Sequence, residues 1–187
     1  MRKDGGSFGR VRGAALPCAI GVAGLLGLAA CGTDDTAWNP DDPQGCPSVR
    51  IVSDADRITQ FRDGPGRDLT DVVARGVIAD FSGECAYEGN TVTVDLDLVI
   101  GAEKGPAAAA GDPARFVYFV AVADPELNIL NKREFDTEIA FEGASSRAAV
   151  MEELVQVIPL ERPVDGQYYQ VLVGFQVSPE QLDYNRR

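Results

Sequence analysis

The chain has 187 residues and a formal net charge of −12, from 29 acidic and 17 basic residues. This acidity argues against a nucleic-acid partner, because nucleic-acid binding needs a basic face. The chain contains no histidine, which excludes Ser-His-Asp and Cys-His catalysis, His-ligated zinc and an imidazole pH switch. Carboxylate chemistry and calcium binding remain open.

Residues 1–30 have the layout of a secretory signal segment. Four basic residues and one aspartate occupy the first twelve positions, and residues 13–30 carry no charge and are rich in Ala, Gly and Leu. Such a segment is removed from the mature protein. An uncleaved transmembrane helix is the alternative, since roughly 17–25 apolar residues can cross a bilayer. Pro17 and several glycines make this run weakly hydrophobic for a permanent span.

The run ends in Leu28, Ala29, Ala30 and Cys31, and this ending resembles the lipobox of bacterial lipoproteins. The resemblance implies that Cys31 is acylated and becomes the first mature residue after cleavage by the lipoprotein signal peptidase. Stable anchoring needs more than one acyl chain, at about 0.8 kcal/mol per buried CH₂, and a multiply acylated cysteine meets that requirement. Gly32, rather than Asp, follows Cys31, which by the same resemblance permits transfer to the outer membrane.

The mature chain, residues 31–187, is the right size for one domain and a tether. It keeps 13 basic and 28 acidic residues, a net charge of −15. Residues 31–45 are predicted to be a flexible acidic tether, because their two prolines, four aspartates and one large apolar residue cannot form a packed core. Residues 46–187 are the predicted domain.

Two cysteines remain in the domain, Cys46 and Cys85. An even pair in an exported chain predicts a disulfide. A reactive or metal-binding pair is the alternative, but neither CxxC spacing nor histidine supports it.

From Cys46 onward, apolar and polar residues alternate with the period of β-strands. Residues 57–61 are ambiguous between a strand and a helical turn capped by Ser53. A bulge is predicted near Gly76. Ser178 and Pro179 have the pattern of a helix start. The predicted strands are 48–52, 72–85, 91–100, 115–123, 127–142, 150–160 and 168–177.

About seven strands, joined by turns and followed by a short C-terminal helical turn, predict an all-β antiparallel sandwich. The segment 166–169 (GQYY) resembles the tyrosine corner of immunoglobulin-like domains, which implies that kind of sandwich. The strand at 115–123 is apolar on both faces and is therefore placed inside a sheet. Glu134, Asp136 and Glu138 lie on one side of a possible edge strand, where charge prevents aggregation; binding a basic partner is the alternative.

Two sets of aspartates are candidate functional sites. One is an aspartate-rich irregular stretch that supplies the hard oxygen ligands calcium prefers, although its spacing is not that of an EF-hand and such a turn-rich stretch needs no ion. The other is a pair on one strand face whose separation overlaps that of inverting glycosidases, an overlap that any alternating acidic strand produces. The calcium candidates are Asp54, Asp56, Asp63, Asp68 and Asp71, and the hydrolase candidates are Asp95 and Asp97.

The mature region resembles uncharacterised envelope lipoproteins of alphaproteobacterial type in segments 61–69 (FRDGPGRDL) and 174–182 (GFQVSPEQL). That resemblance implies no activity. We therefore expect a lipid-anchored, periplasm-facing envelope protein without cofactor or catalysis that binds or scaffolds another envelope component. A small envelope hydrolase that uses carboxylates is the alternative.

Overall fold

The computed structural model describes residues 45–187, so the predicted signal segment, Cys31 and the tether up to residue 44 lie outside the described residues. The described part is a two-layer all-β sandwich with one short C-terminal α-helix, which confirms the predicted fold class. None of its helices is long and apolar enough to cross a membrane. The elements are β1 (Ser48–Ile51), β2 (Arg57–Phe61), β3 (Val72–Glu88), β4 (Thr91–Lys104), β5 (Ala114–Ala123), β6 (Ile129–Ile139), β7 (Arg147–Pro159), β8 (Gln170–Phe175) and α1 (Pro179–Asn185).

Each sheet has four strands, in the order β1-β8-β5-β6 for the first and β2-β3-β4-β7 for the second. The described residues thus form eight strands where about seven were expected, and the ambiguous segment at 57–61 is the strand β2. The expectation of purely antiparallel pairing is wrong for one pair, since β1 runs parallel to β8. These strands lie far apart in the chain, so no tight hairpin forces them to be antiparallel.

The core forms between the inner faces of the two sheets. The alternation predicted for 91–100 is confirmed, because every second side chain of β4 from Val92 to Ile100 is at most 2% exposed. From β8, Val171, Val173 and Phe175 are fully buried, so every second side chain of this strand also faces the core. Burial of each large apolar side chain stabilises the fold by about 1.5–3 kcal/mol.

The strand predicted to lie inside a sheet (115–123) and the strand predicted as a possible edge (127–142) are both found in those positions. β5 lies between β8 and β6, and β6 is an edge strand of its sheet. The bulge predicted near Gly76 is present: the pairing of β3 with β4 shifts between Ile78 and Asp80. β4 also continues beyond the predicted strand 91–100 to Lys104, because residues 101–104 pair with the start of β3 and residues 101–103 pair with the start of β7.

The helix α1 begins as its sequence predicts. The Ser178 hydroxyl accepts a hydrogen bond from the Gln181 backbone N–H (3.2 Å), and the Gln181 side chain accepts one from the Ser178 N–H (2.8 Å). The Tyr184 ring packs edge-on against Phe61 of β2, with ring centroids 5.2 Å apart. The helix therefore lies over the outer face of β2.

The predicted disulfide between Cys46 and Cys85 is present, with the two Cα atoms 5.7 Å apart. It joins the segment before β1, in the first sheet, to β3 in the second. The Tyr87 hydroxyl also donates a hydrogen bond to the Gly45 carbonyl oxygen (2.6 Å). The chain that follows the tether is thus fastened to the half of β3 that β2 does not cover.

Near β8, Pro163–Tyr168 form a 3₁₀ turn, and Tyr169 rather than Tyr168 is buried.

Candidate functional site: an arginine-rimmed groove

A groove of about 920 Å³ lies on the outer face of the second sheet. Its floor consists of Gly76 and Val77 of β3 and Gly101 of β4, and one wall contains the ring of Tyr184 from α1. Four arginines from β2, β3, β7 and the end of the chain surround this floor: Arg57, Arg75, Arg147 and Arg187.

The bare backbone at Gly101 leaves room for the groove. Gly101 is paired with Val77, whose side chain stands on the outer face and is 44% exposed. A Cβ added at Gly101 would point into the same space and approach the Val77 Cγ1 to 3.3 Å. Any larger side chain at position 101 would therefore fill the floor from the solvent side and leave the core untouched.

Hydrogen bonds fix the wall of the groove. The Asn185 side-chain amide donates to the Asp54 carbonyl oxygen (2.7 Å) and to the Arg57 carbonyl oxygen (2.8 Å). These bonds attach the end of α1 to the chain on both sides of the start of β2. The end of the helix is consequently held at the β2 side of the groove.

The groove carries a local excess of positive charge. Arg57 pairs with Asp56 (3.1 Å) and Arg147 with Glu103 (3.4 Å), so the lining has two arginine side chains more than side-chain carboxylates. Within residues 45–187, Arg75 forms no ion pair. The hydrogen bond that Arg57 donates to the Asp56 carboxylate raises the pKa of Arg57 above its usual range. The groove is thus basic in a chain of net charge −12.

The charged groups of the groove suit the recognition of an anion. The two carboxylates of the lining, Asp56 and Glu103, are each paired with an arginine. Guanidinium groups bind carboxylate, sulfonate and phosphate oxygens through several parallel hydrogen bonds. The chemistry available in the groove is therefore recognition of an anion above an apolar floor.

The five calcium candidates are not gathered into a site. Ion pairs with arginine occupy Asp54, Asp56 and Asp71, the last through a 2.5 Å contact with Arg62. Asp71 is also buried and accepts a hydrogen bond from the backbone N–H of Asp68, so its role is to hold this loop together. Nowhere in residues 45–187 do three or more Cys, Asp or Glu side chains come together in a way that could hold a metal ion.

The hydrolase candidates, Asp95 and Asp97, share the outer face of β4 as expected, but they lie outside the groove. Asp95 is paired with Glu84 of β3, and Asp97 with Glu153 of β7. We call these four residues the carboxylate ladder. Like charges directly opposite one another on a sheet destabilise it.

Glu134, Asp136 and Glu138 lie on the exposed side of the edge strand β6. Two of them form ion pairs, Glu134 with Lys132 (3.1 Å) and Glu138 with Arg115 of β5 (2.8 Å). Their position agrees with the predicted role of keeping an edge strand from pairing with another sheet.

Sequence reasoning missed the groove because its arginines come from four separate segments. One signal was available: a glycine that directly follows an alternating strand marks either the strand end or a place where a ligand approaches the backbone. Position 101 was interpreted as the strand end. No protein-family model, no curated protein and no solved structure matches this chain.

Proposed function

We propose that this chain is a lipid-anchored protein of a bacterial cell envelope, attached through Cys31, that binds another envelope component without transforming it. The lipobox supports the attachment. The disulfide between Cys46 and Cys85 supports an oxidising, extracytoplasmic compartment, since cytosolic proteins rarely keep such bonds. Gly32 after Cys31 favours the outer membrane, with the domain facing the periplasm.

The groove is the observation that carries the binding role. It combines an apolar floor, a guanidinium rim and carboxylates that are already paired, which is the composition of a recognition site. The alternative, a hydrolase that uses Asp95 and Asp97, would have to work on an open, solvated strand face outside this groove.

The groove lies far from the point where the tether joins the domain. Cys85, to which Cys46 is bonded, pairs with Val94 of β4, and the groove floor at Gly101 is seven residues further along that strand. At about 3.4 Å per residue, this separation is about 24 Å. The predicted tether adds a reach of about 20 Å as a coil and roughly 50 Å when extended. The groove and the disulfide therefore lie toward opposite ends of β4.

Labelling with radioactive palmitate and cell fractionation test the attachment. Wild-type chain should incorporate label and sediment with membranes, and Cys31→Ser should give an unlabelled, uncleaved precursor. Cys18→Ser, which changes a cysteine inside the signal segment, is the matched control and should behave as wild type. Normal processing of Cys31→Ser would overturn the attachment.

Crosslinking in intact cells tests the binding role. Tagged wild-type chain should capture a component that Arg75→Gln fails to capture, whereas Asp95→Asn should capture it normally. Release of a product from a panel of sugar and ester substrates, lost in Asp95→Asn, would instead establish the hydrolase and refute the proposal.

A further inference from the structure

We infer that the ligand of the groove is a small amphiphilic anion: one carboxylate, sulfonate or phosphate group on an aliphatic or aromatic body. This inference rests on the proposed binding function and names the class of ligand for that site. It concerns a compact molecule, not an extended acidic polypeptide.

The charged part of the ligand follows from the rim. Arg75 lies near the start of β3 and forms no ion pair within residues 45–187, so no carboxylate of this part of the chain occupies its guanidinium donors. Arg57 on β2 and Arg147 on β7 already hold Asp56 and Glu103. Arg187, like Arg75, forms no ion pair within the described residues. One anionic group therefore meets two guanidinium groups without a carboxylate partner in this part of the chain, and the two paired arginines surround it.

The apolar part follows from the floor. Val77, which is paired with Gly101, is exposed, and Tyr184 also lines the groove, so apolar groups border the space over Gly101. An inorganic anion would leave this surface wet. A ligand with an aliphatic or aromatic body would cover it and gain about 25 cal/mol for each Å² of apolar surface removed from water.

The size of the ligand follows from what surrounds the groove. Its volume of about 920 Å³ lies within the range of small-molecule sites, roughly 300–1,000 Å³. Beyond the floor, the same sheet face carries the carboxylate ladder, which begins at Asp97, four residues from Gly101 and thus about 14 Å away. An extended acidic partner would run onto these like charges, whereas a compact anion stays at the basic end.

A matched pair of probes separates the anionic group from its apolar body. Naphthalene-1-sulfonate and the uncharged naphthalene-1-sulfonamide would be titrated calorimetrically into the full mature chain, purified from membranes in a nonionic detergent, with a protein-free detergent blank subtracted. The sulfonate should bind at least tenfold more tightly than the sulfonamide. Equal affinities, or no binding of the sulfonate, would overturn the inference.

Three variants locate the binding. Arg75→Gln should weaken sulfonate binding at least fivefold, and Gly101→Val should abolish it by filling the floor. Arg50→Gln, which removes the same charge from an exposed position on β1 in the other sheet, should change the affinity less than twofold. Circular dichroism would verify that each variant is folded. Unchanged affinity in a folded Gly101→Val variant would overturn the inference.

Sedimentation velocity tests whether a second copy of the chain, rather than a small anion, occupies the groove. If the wild-type chain forms dimers that Arg75→Gln dissociates, the groove holds a second copy and the inference is wrong. Failure of the titrations leaves palmitate labelling at Cys31 and the captured envelope component unaffected, so failure of this inference is distinguishable from failure of the proposed function.

Discussion

Removal of the disulfide provides a quantitative test of how the two sheets are held together. The bond closes a loop of 39 positions between Cys46 and Cys85. In the chain-entropy model, a crosslink over this length lowers the entropy of the unfolded chain by about 13 cal/mol/K, which corresponds to about 4 kcal/mol at 25 °C. Replacing both cysteines with serine should therefore reduce the free energy of unfolding by about 4 kcal/mol.

A second contribution is local. The Tyr87 hydroxyl bonds to the Gly45 carbonyl beside the bridge, and burial raises the pKa of Tyr87 above its ordinary value. If the segment before β1 detaches when the bridge is absent, loss of this hydrogen bond adds about 1 kcal/mol to the cost. The expected total is about 4–5 kcal/mol, a large share of the ~5–15 kcal/mol that stabilises a typical domain.

Urea unfolding of the full chain, followed by circular dichroism, measures the difference. With a slope of about 2 kcal/mol/M, the midpoint of the double serine variant should fall by about 2 M. Cys85→Ser alone should match the double variant, because the bridge needs both sulfur atoms, and wild type under reducing conditions should match both. A reduction of less than about 1 kcal/mol would refute the reasoning.

Three other changes test separate parts of the fold. Gly105→Ala should destabilise the domain by about 1–3 kcal/mol in urea, because its Cβ would lie 2.0 Å from the carbonyl oxygen of fully buried Val72; tolerance of alanine there would show that the loop is placed differently. Asp97→Asn should stabilise the domain by about 0.2–1 kcal/mol at low salt, since it removes the repulsion from Glu153, and the gain should shrink at high salt; a loss of stability would contradict this. Burial, assisted by a nearby glutamate, raises the pKa of Tyr118 to about 12. Because an unfolded tyrosine ionises near pH 10, stability should decline as the pH rises from about 10 to 12. Tyr118→Phe should flatten that decline, and an unchanged slope would argue against it.

Local patterns predicted the features that depend on neighbouring residues. Strict alternation located the inner row of β4, and Ser178 with Pro179 located the start of α1, because hydrophobic burial and helix capping act within a few residues. The disulfide was predictable from the number of cysteines and the expected compartment alone.

Features that depend on distant pairing were not predictable. The parallel pairing of β1 with β8 brings together segments more than a hundred residues apart. β4 continues through Gly101 because β3 and β7 both pair with it there, whereas a glycine after an alternating run indicates a break when only the sequence is considered. The groove was not predictable for the same reason. Its four arginines become neighbours only when β2, β3, β7 and the end of the chain assemble.

The ion pairs of the aspartate-rich stretch were also hidden from the sequence. Asp54 is bound by Arg186, which is 132 positions away in the chain, so the stretch looked more available to a cation than it is. Acidic composition indicates negative charge, whereas availability for a ligand depends on which arginines the fold brings near.

The central claim is that Cys31 carries lipid and begins the mature chain. Intact mass spectrometry of the protein extracted from membranes tests it most directly. The account predicts a chain that starts at Cys31, carries acyl groups on that residue and has its other two cysteines joined. A mass that corresponds to the unmodified chain from Met1, recovered from the soluble fraction, would contradict the anchor, the compartment and the envelope function together.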